Sequence, residues 1–232
     1  MLWCLHGNLG MSADWDILSQ HPESPYRDQM IRKVDLWRYL ACRSISLKEF
    51  GDIFCSEVAA QDSSPSLMAY SLGGRLALHA LASQPDLWKS ATLISTHPGL
   101  SSEEEKTNRR ILDAEWSAKA LQLPWGGFLK EWNQQSVLGP PTEHLPDRYL
   151  LQPRNHEIAR AFYAWSLGAQ NDHRQTSEKI TCPVSLITGA QDVKYTNLAT
   201  EFRFPNAEHQ IIPEAQHRPL WENPEGTLRA LA

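Results

Sequence analysis

The 232-residue chain is short of cysteine, of long apolar runs and of concentrated basic charge. Its longest apolar runs fall far below the roughly 20 residues that a helix needs to cross a bilayer, so no membrane span is expected. No run of lysine or arginine exceeds two, and the net charge is −5, which excludes the concentrated basic face of a nucleic-acid binder. A substrate anion must then be captured by a few local arginines rather than by a global field. The opening MLWCLHG has neither a basic leader nor a long apolar stretch, so a secretory signal is not expected. Cys4, Cys42, Cys55 and Cys182 are scattered without a CxxC pair, which reads as buried free thiols in a reducing compartment and a cytoplasmic location. Nine histidines are present, but no HExxH or other ligand spacing is, so no metal site is expected.

What remains is an ordinary globular composition, 41% hydrophobic and 21% charged, in a length suited to one α/β domain. Short, partly β-branched runs alternate with helical patterns, the signature of a mostly parallel sheet with flanking helices. Strands are expected near 2–5, 31–36, 66–69, 91–95, 183–188 and 208–212, with helices near 46–60, 72–84, 194–203 and 223–231. Leu72, Leu76, Ala77, Ala80 and Leu81 have the spacing of a core-facing stripe. From about 98 to 178 the rhythm breaks into helical segments carrying Trp116, Trp125, Trp132 and Trp165. Ser101 followed by Glu104 reads as a capping box for the first of them. This stretch is expected to be a helical cap inserted over the strand ends within the single domain 1–232, where it would contact substrate and exclude water.

The strongest local pattern is Ala69-Tyr70-Ser71-Leu72-Gly73-Gly74, directly after an apolar strand and directly before a helix. A sharp strand-to-helix turn that exposes a serine hydroxyl needs small residues two positions to either side; Gly73 meets this and Ala69 is the smallest alternative to glycine. Downstream, Asp192 follows the strand PVSLIT, and His217 follows EHQII. Serine, aspartate and histidine in that order, each past a strand end, predict a nucleophile–base–orienter set on an α/β-hydrolase fold. Taken singly, each has a plainer reading: a βα turn, a turn aspartate and a surface histidine. The turn His6-Gly7-Asn8-Leu9-Gly10 after the first strand would aim a backbone N–H at the serine, so the amides of Asn8 and Leu72 are candidates for an oxyanion hole. His6 itself is expected to be structural.

Beyond the fold, LHGNLGMSADW (5–15), YSLGGRLAL (70–78), HPGLSSEEEKTNRR (97–110) and the segment Glu131–Gln135 resemble the 2-succinyl-6-hydroxy-2,4-cyclohexadiene-1-carboxylate synthases of menaquinone and phylloquinone biosynthesis. The resemblance runs over most of the chain. It implies a lyase that eliminates pyruvate from 2-succinyl-5-enolpyruvyl-6-hydroxy-3-cyclohexene-1-carboxylate, with the triad serine as base and no metal or organic cofactor. It further implies that Arg75, Arg109 and Arg154 bind substrate carboxylates while Tyr70 and Trp132 shape the pocket. Read from the residues, Arg75 lies one helical turn from Ser71 on the same face, where a guanidinium suits either a carboxylate or a salt bridge to the cap. Arg109 suits the substrate or a solvated face, and the neighbouring Arg110 leaves open which of them points inward. Trp132 serves equally as cap core or as pocket wall.

The chain departs from the family pattern at Ala69, at Asn133 where an aromatic is common, and in lacking strands ahead of His6-Gly7. The expected partner is a small polycarboxylate anion. A serine hydrolase on the same triad stays open as the alternative, as does an idle binding protein, although the intact triad speaks against the latter. Arginines in a tryptophan-rich cap favour the lyase, since a neutral ester needs none.

Overall fold

A computed structural model describes residues 1–139 and 145–232, so the stretch 140–144 of the expected insertion lies outside the described residues. In chain order the sheet and its first helices are β1 (Leu2–Leu5), α1 (Asp16–Gln20), β2 (Ile31–Val34), α2 (Leu47–Ala59), β3 (Ser66–Tyr70), α3 (Leu72–Ser83) and β4 (Ser90–Ile94). Three longer helices follow, α4 (Glu103–Gln122), α5 (Trp125–Asn133) and α6 (Asn155–Ala164). The chain then returns to the sheet through β5 (Val184–Gly189), α7 (Val193–Ala199), β6 (Ala207–Ile212), α8 (Pro219–Glu222) and α9 (Pro224–Ala230). No helix among the described residues is long and apolar enough to cross a membrane.

The six strands pair in the order β2-β1-β3-β4-β5-β6, every pair parallel. Parallel strands need a crossover, and here helices supply it and cover both faces. On one face Phe50, Phe54 and Cys55 of α2 pack with Leu76, Ala77 and Leu81 of α3, as the helical spacing predicts. On the other, Trp15, Leu18, Trp221 and Leu228 cover Cys4, Met68 and Ile94. From β1 the chain runs outward to β2 on one side and then to β3 on the other. The order therefore reverses between β1 and β3, the place where an open α/β sheet leaves a crevice at its carboxyl ends.

Between β4 and β5, α4 packs along α6, with Ser117 Oγ donating to the Ala159 carbonyl at 2.8 Å. The insertion has its own aromatic cluster, in which Trp116 meets Trp132 edge-on at 5.2 Å and Trp132 meets Phe162 at 5.3 Å.

Several boundaries differ from expectation for local reasons. β2 ends at Val34 because the Asp35 side chain accepts from the Trp37 amide and starts a 3-10 turn. The last helix, α9, falls where expected, with Asn223 capping it at the Gly226 amide and Pro224 at its first position, while the short α8 just ahead of it was not expected. The helix expected to reach 203 stops at Ala199. The cap of α4 is Ser102, accepting from the Glu105 amide at 3.1 Å, not Ser101 with Glu104. Three cysteines are buried and free as expected, whereas Cys42 is exposed.

Candidate active site

Ser71 stands alone between β3 and α3, with φ 51° and ψ −108°, a backbone conformation that costs a non-glycine residue energy and is held by its surroundings. Its amide donates to the Ile94 carbonyl at 2.9 Å, pinning the turn to β4. Helix α3 then leaves so close to β1 that a Cβ on Gly73 would strike the carbonyl oxygens of Leu5 and His6. The glycine read as a motif requirement is thus a backbone-to-backbone contact.

The other two members arrive from neighbouring strand ends. Asp192 follows β5 and caps α7, one carboxylate oxygen accepting from the Tyr195 amide at 3.2 Å. Its other oxygen lies 2.8 Å from His217 Nδ1. His217 Nε2 lies 3.1 Å from Ser71 Oγ. A carboxylate accepts only, so Nδ1 carries the proton and Nε2 is left to accept from the serine hydroxyl.

The loop bearing His217 is fastened at several points. The Gln191 amide donates to the Ala215 carbonyl at 2.8 Å, and Gly189 admits the carbonyls of Ala215 and Gln216 where a Cβ would not fit. Glu222 of α8 accepts from the amides of Gln216 (2.6 Å) and Arg218 (3.1 Å), the residues on either side of His217. The Tyr195 ring lies against the imidazole at 4.4 Å.

Across from the serine, the turn after β1 holds Leu9 at φ 49°, its amide donating to Asn8 Oδ1 at 3.1 Å. Among the described residues neither the Asn8 nor the Leu72 backbone amide donates to a protein acceptor. His6 is buried, with Nδ1 2.9 Å from the Gly7 carbonyl and Nε2 3.2 Å from the Leu36 amide. One nitrogen donates and the other accepts, so the ring is neutral, and burial holds its pKa down. It ties the carboxyl end of β1 to that of β2.

Ser71 opens into a cavity of about 420 Å³. Asn8 and Tyr70 line its sheet side, Trp132 and Arg148 its insertion side, and Arg218 and Trp221 its third wall. Burial pushes the Tyr70 phenol up, so it stays protonated and uncharged; its ring packs on Trp221 at 5.1 Å.

No family model matches the chain. It is 31% identical over 214 residues to the 2-succinyl-6-hydroxy-2,4-cyclohexadiene-1-carboxylate synthase of Pectobacterium atrosepticum, covering 88% of this chain and 82% of that protein. The chain belongs to this synthase family. The enzyme of the same name from Escherichia coli O1:K1 / APEC is 27% identical over 235 residues, covering 98% of this chain and 90% of its own. Among solved structures, MenH from S. aureus superposes with a TM-score of 0.83 at 20% identity, over 99% of this chain and 91% of that one. A thermophilic esterase from Thermogutta terrifontis does so with 0.71 at 19% identity, over 99% and 87%. At such identities these likenesses show the fold, an α/β-hydrolase sheet.

For a synthase of this family, the placement of the arginines is the informative part. Arg75 donates to the Trp165 carbonyl at 2.9 Å and to Gln170 Oε1 at 3.3 Å, thereby tying α3 to the insertion. Burial, then the nearby Arg109 charge, pulls its pKa down to about 10, so it remains a cation at neutral pH. Arg109 pairs with the buried Asp113 at 2.8 Å, while Arg110 is exposed, which separates the two. Arg154 lies 3.3 Å from both Asp35 and Glu157. None of Arg75, Arg109 and Arg154 lines the cavity into which Ser71 opens.

The cations that do line it are Lys130, Arg148 and Arg218, none of which the sequence reading singled out. Arg148 is joined to the buried Asp14 at 2.6 Å, a contact across 134 residues that no local pattern announces. Arg218 had a signal, its position directly after His217.

Proposed function

We propose that this chain eliminates pyruvate from 2-succinyl-5-enolpyruvyl-6-hydroxy-3-cyclohexene-1-carboxylate, leaving 2-succinyl-6-hydroxy-2,4-cyclohexadiene-1-carboxylate, a step of menaquinone biosynthesis. The observation that carries the reading is the hydrogen-bonded chain Ser71–His217–Asp192, whose serine opens into a cavity walled by tryptophans and arginines, in a member of this synthase family. The ring proton beside the succinyl ketone is the acidic one, because its loss leaves an enolate. Ser71 takes it, its own proton passing to His217 Nε2, and Asp192 stabilises the imidazolium. The electron pair moves through the ring double bond and expels the enolpyruvyl oxygen; the departing enolate of pyruvate recovers a proton from the imidazolium. The backbone amides of Asn8 and Leu72 hold the oxygen on which charge develops, each such donor being worth about 3 kcal/mol in a transition state. Tyr70 and Trp132 wall the reacting ring, and the helical insertion over the site excludes water that would compete for the enolate.

Pyruvate release from the enolpyruvyl tricarboxylate, followed through a coupled dehydrogenase, tests this directly. The wild-type protein is expected to release it rapidly, and Ser71→Ala to release none above background while still binding substrate. Undiminished turnover in Ser71→Ala removes the serine from its role. No release by folded wild type overturns the lyase and moves the triad to acyl hydrolysis, to be sought with esters and thioesters.

A further inference from the structure

Arg218 is buried, 8% exposed, on the wall of the cavity that holds Ser71 and Tyr70. Among the described residues its guanidinium has one partner, Asn133 Oδ1 at 3.4 Å, and no carboxylate within ion-pair distance. The nearby Glu222 feels the Arg218 charge only through space, without an ion-pair contact: one of its oxygens accepts the backbone amides of Gln216 and Arg218, and the other is buried with no partner. The remaining cavity cations differ from it, since Arg148 is neutralised by Asp14 and Lys130 is exposed to water. A buried guanidinium with a single long hydrogen bond to a neutral group is poorly compensated, and an anion delivered to the cavity would satisfy it. Its planar fork matches a carboxylate, and Asn133 anchors one edge of that fork.

We propose that Arg218, oriented by Asn133, binds a carboxylate of the substrate beside Ser71, in the cavity that Arg75, Arg109 and Arg154 do not line. This rests on the lyase reading, whose substrate carries a carboxylate on its succinyl chain, on its ring and on its enolpyruvyl group. The bound carboxylate sets the ring against the serine, and Arg218 thereby selects polyanions over neutral esters.

The test is protection of Ser71 from a neutral fluorophosphonate by 2-succinylbenzoate, an aromatic analogue carrying both carboxylates of the product. Each protein's unprotected labelling rate is its own reference and reports that its triad is assembled. The wild type is expected to be protected. In Arg218→Gln the protection constant should weaken by roughly tenfold or more, the scale of one charge-assisted pair. Arg218→Lys should recover part of it, and the dimethyl ester of the probe should protect wild type and Arg218→Gln equally. Asn133→Ala, at an exposed position, is expected to weaken protection about threefold, and it carries the test should Arg218→Gln fail to label. Equal protection of wild type and Arg218→Gln, or of wild type and Asn133→Ala where the former does not label, overturns the assignment, as does a wild type left unprotected. Pyruvate release is measured alongside. If it is absent while Arg218-dependent protection persists, the lyase reading falls and the carboxylate site stands.

Discussion

At the scale of single residues, Asp192 shows how one side chain serves both fold and chemistry. One carboxylate oxygen caps α7 and the other fixes the tautomer of His217. Asp192→Asn keeps an acceptor for the cap but can present an amide N–H to Nδ1. That turns the imidazole's proton towards the serine and removes the base. Turnover is expected to fall by roughly 10⁴-fold with little change in the urea midpoint; a small loss of turnover would mean that the tautomer is held by something else. Ser71, Asp192 and His217 could be placed from the sequence because each follows a strand end, and strand ends are set by local hydrophobic pattern. Arg148 could not, because its partner Asp14 lies in a different part of the chain and nothing near either residue announces the pair.

Secondary-structure elements position the site through a few buried polar contacts. The four-residue helix α8 contributes Glu222, whose carboxylate gathers the amides flanking His217. Glu222→Ala frees that loop, and we expect turnover to drop by roughly tenfold or more while the Michaelis constant changes little, because the residue acts through His217 and not on the substrate. A Michaelis constant that rises in step would instead place Glu222 in the binding wall. In the insertion, Asp113 of α4 is 2% exposed and accepts from Arg109, from Ser166 Oγ at 2.8 Å and from the Leu167 amide at 3.2 Å. It joins α4 to the segment that also receives Arg75. Asp113→Ala leaves the buried Ser166 hydroxyl and Leu167 amide without their acceptor and is expected to cost about 1–3 kcal/mol, read from urea denaturation. Hydrogen exchange should show the loss chiefly in α4 and α6, with β1 and β3 still protected.

For the molecule as a whole, three further buried histidines, besides His6 and the triad's His217, link stability to pH. Burial, then the neighbouring His173, pushes His79 down to about 3; burial, then Lys194, does the same to His97; and burial pushes His173 down to about 4. His79 and His173 meet edge-to-face at 4.6 Å. Unfolded, each would titrate near 6.5. Above that pH the groups are neutral in both states and cost nothing. As pH falls below it the unfolded chain takes up protons that the folded chain refuses, so stability is lost down to pH 3–4. The expected loss between pH 7 and 5 is about 2 kcal/mol for each histidine, visible as a lower urea midpoint at pH 5. Equal midpoints at the two pH values would show that these rings take up protons in the folded state.

The sequence by itself determined the alternation of strand and helix, the parallel sheet, the helical insertion and the three residues of the hydrogen-bonded chain. Each of these is written in short-range pattern: apolar runs, turn residues and strand ends. Only the tertiary structure decided which cations face the cavity. Arg75 and Arg109 share the local signature of ligand-binding arginines, yet they bond to Gln170, Trp165 and Asp113 and do not line it, while Arg218, carried on the loop of His217, lines it and meets Asn133 of α5. A long side chain's direction depends on partners far away in sequence, and those partners meet only when the sheet and the insertion close on one another.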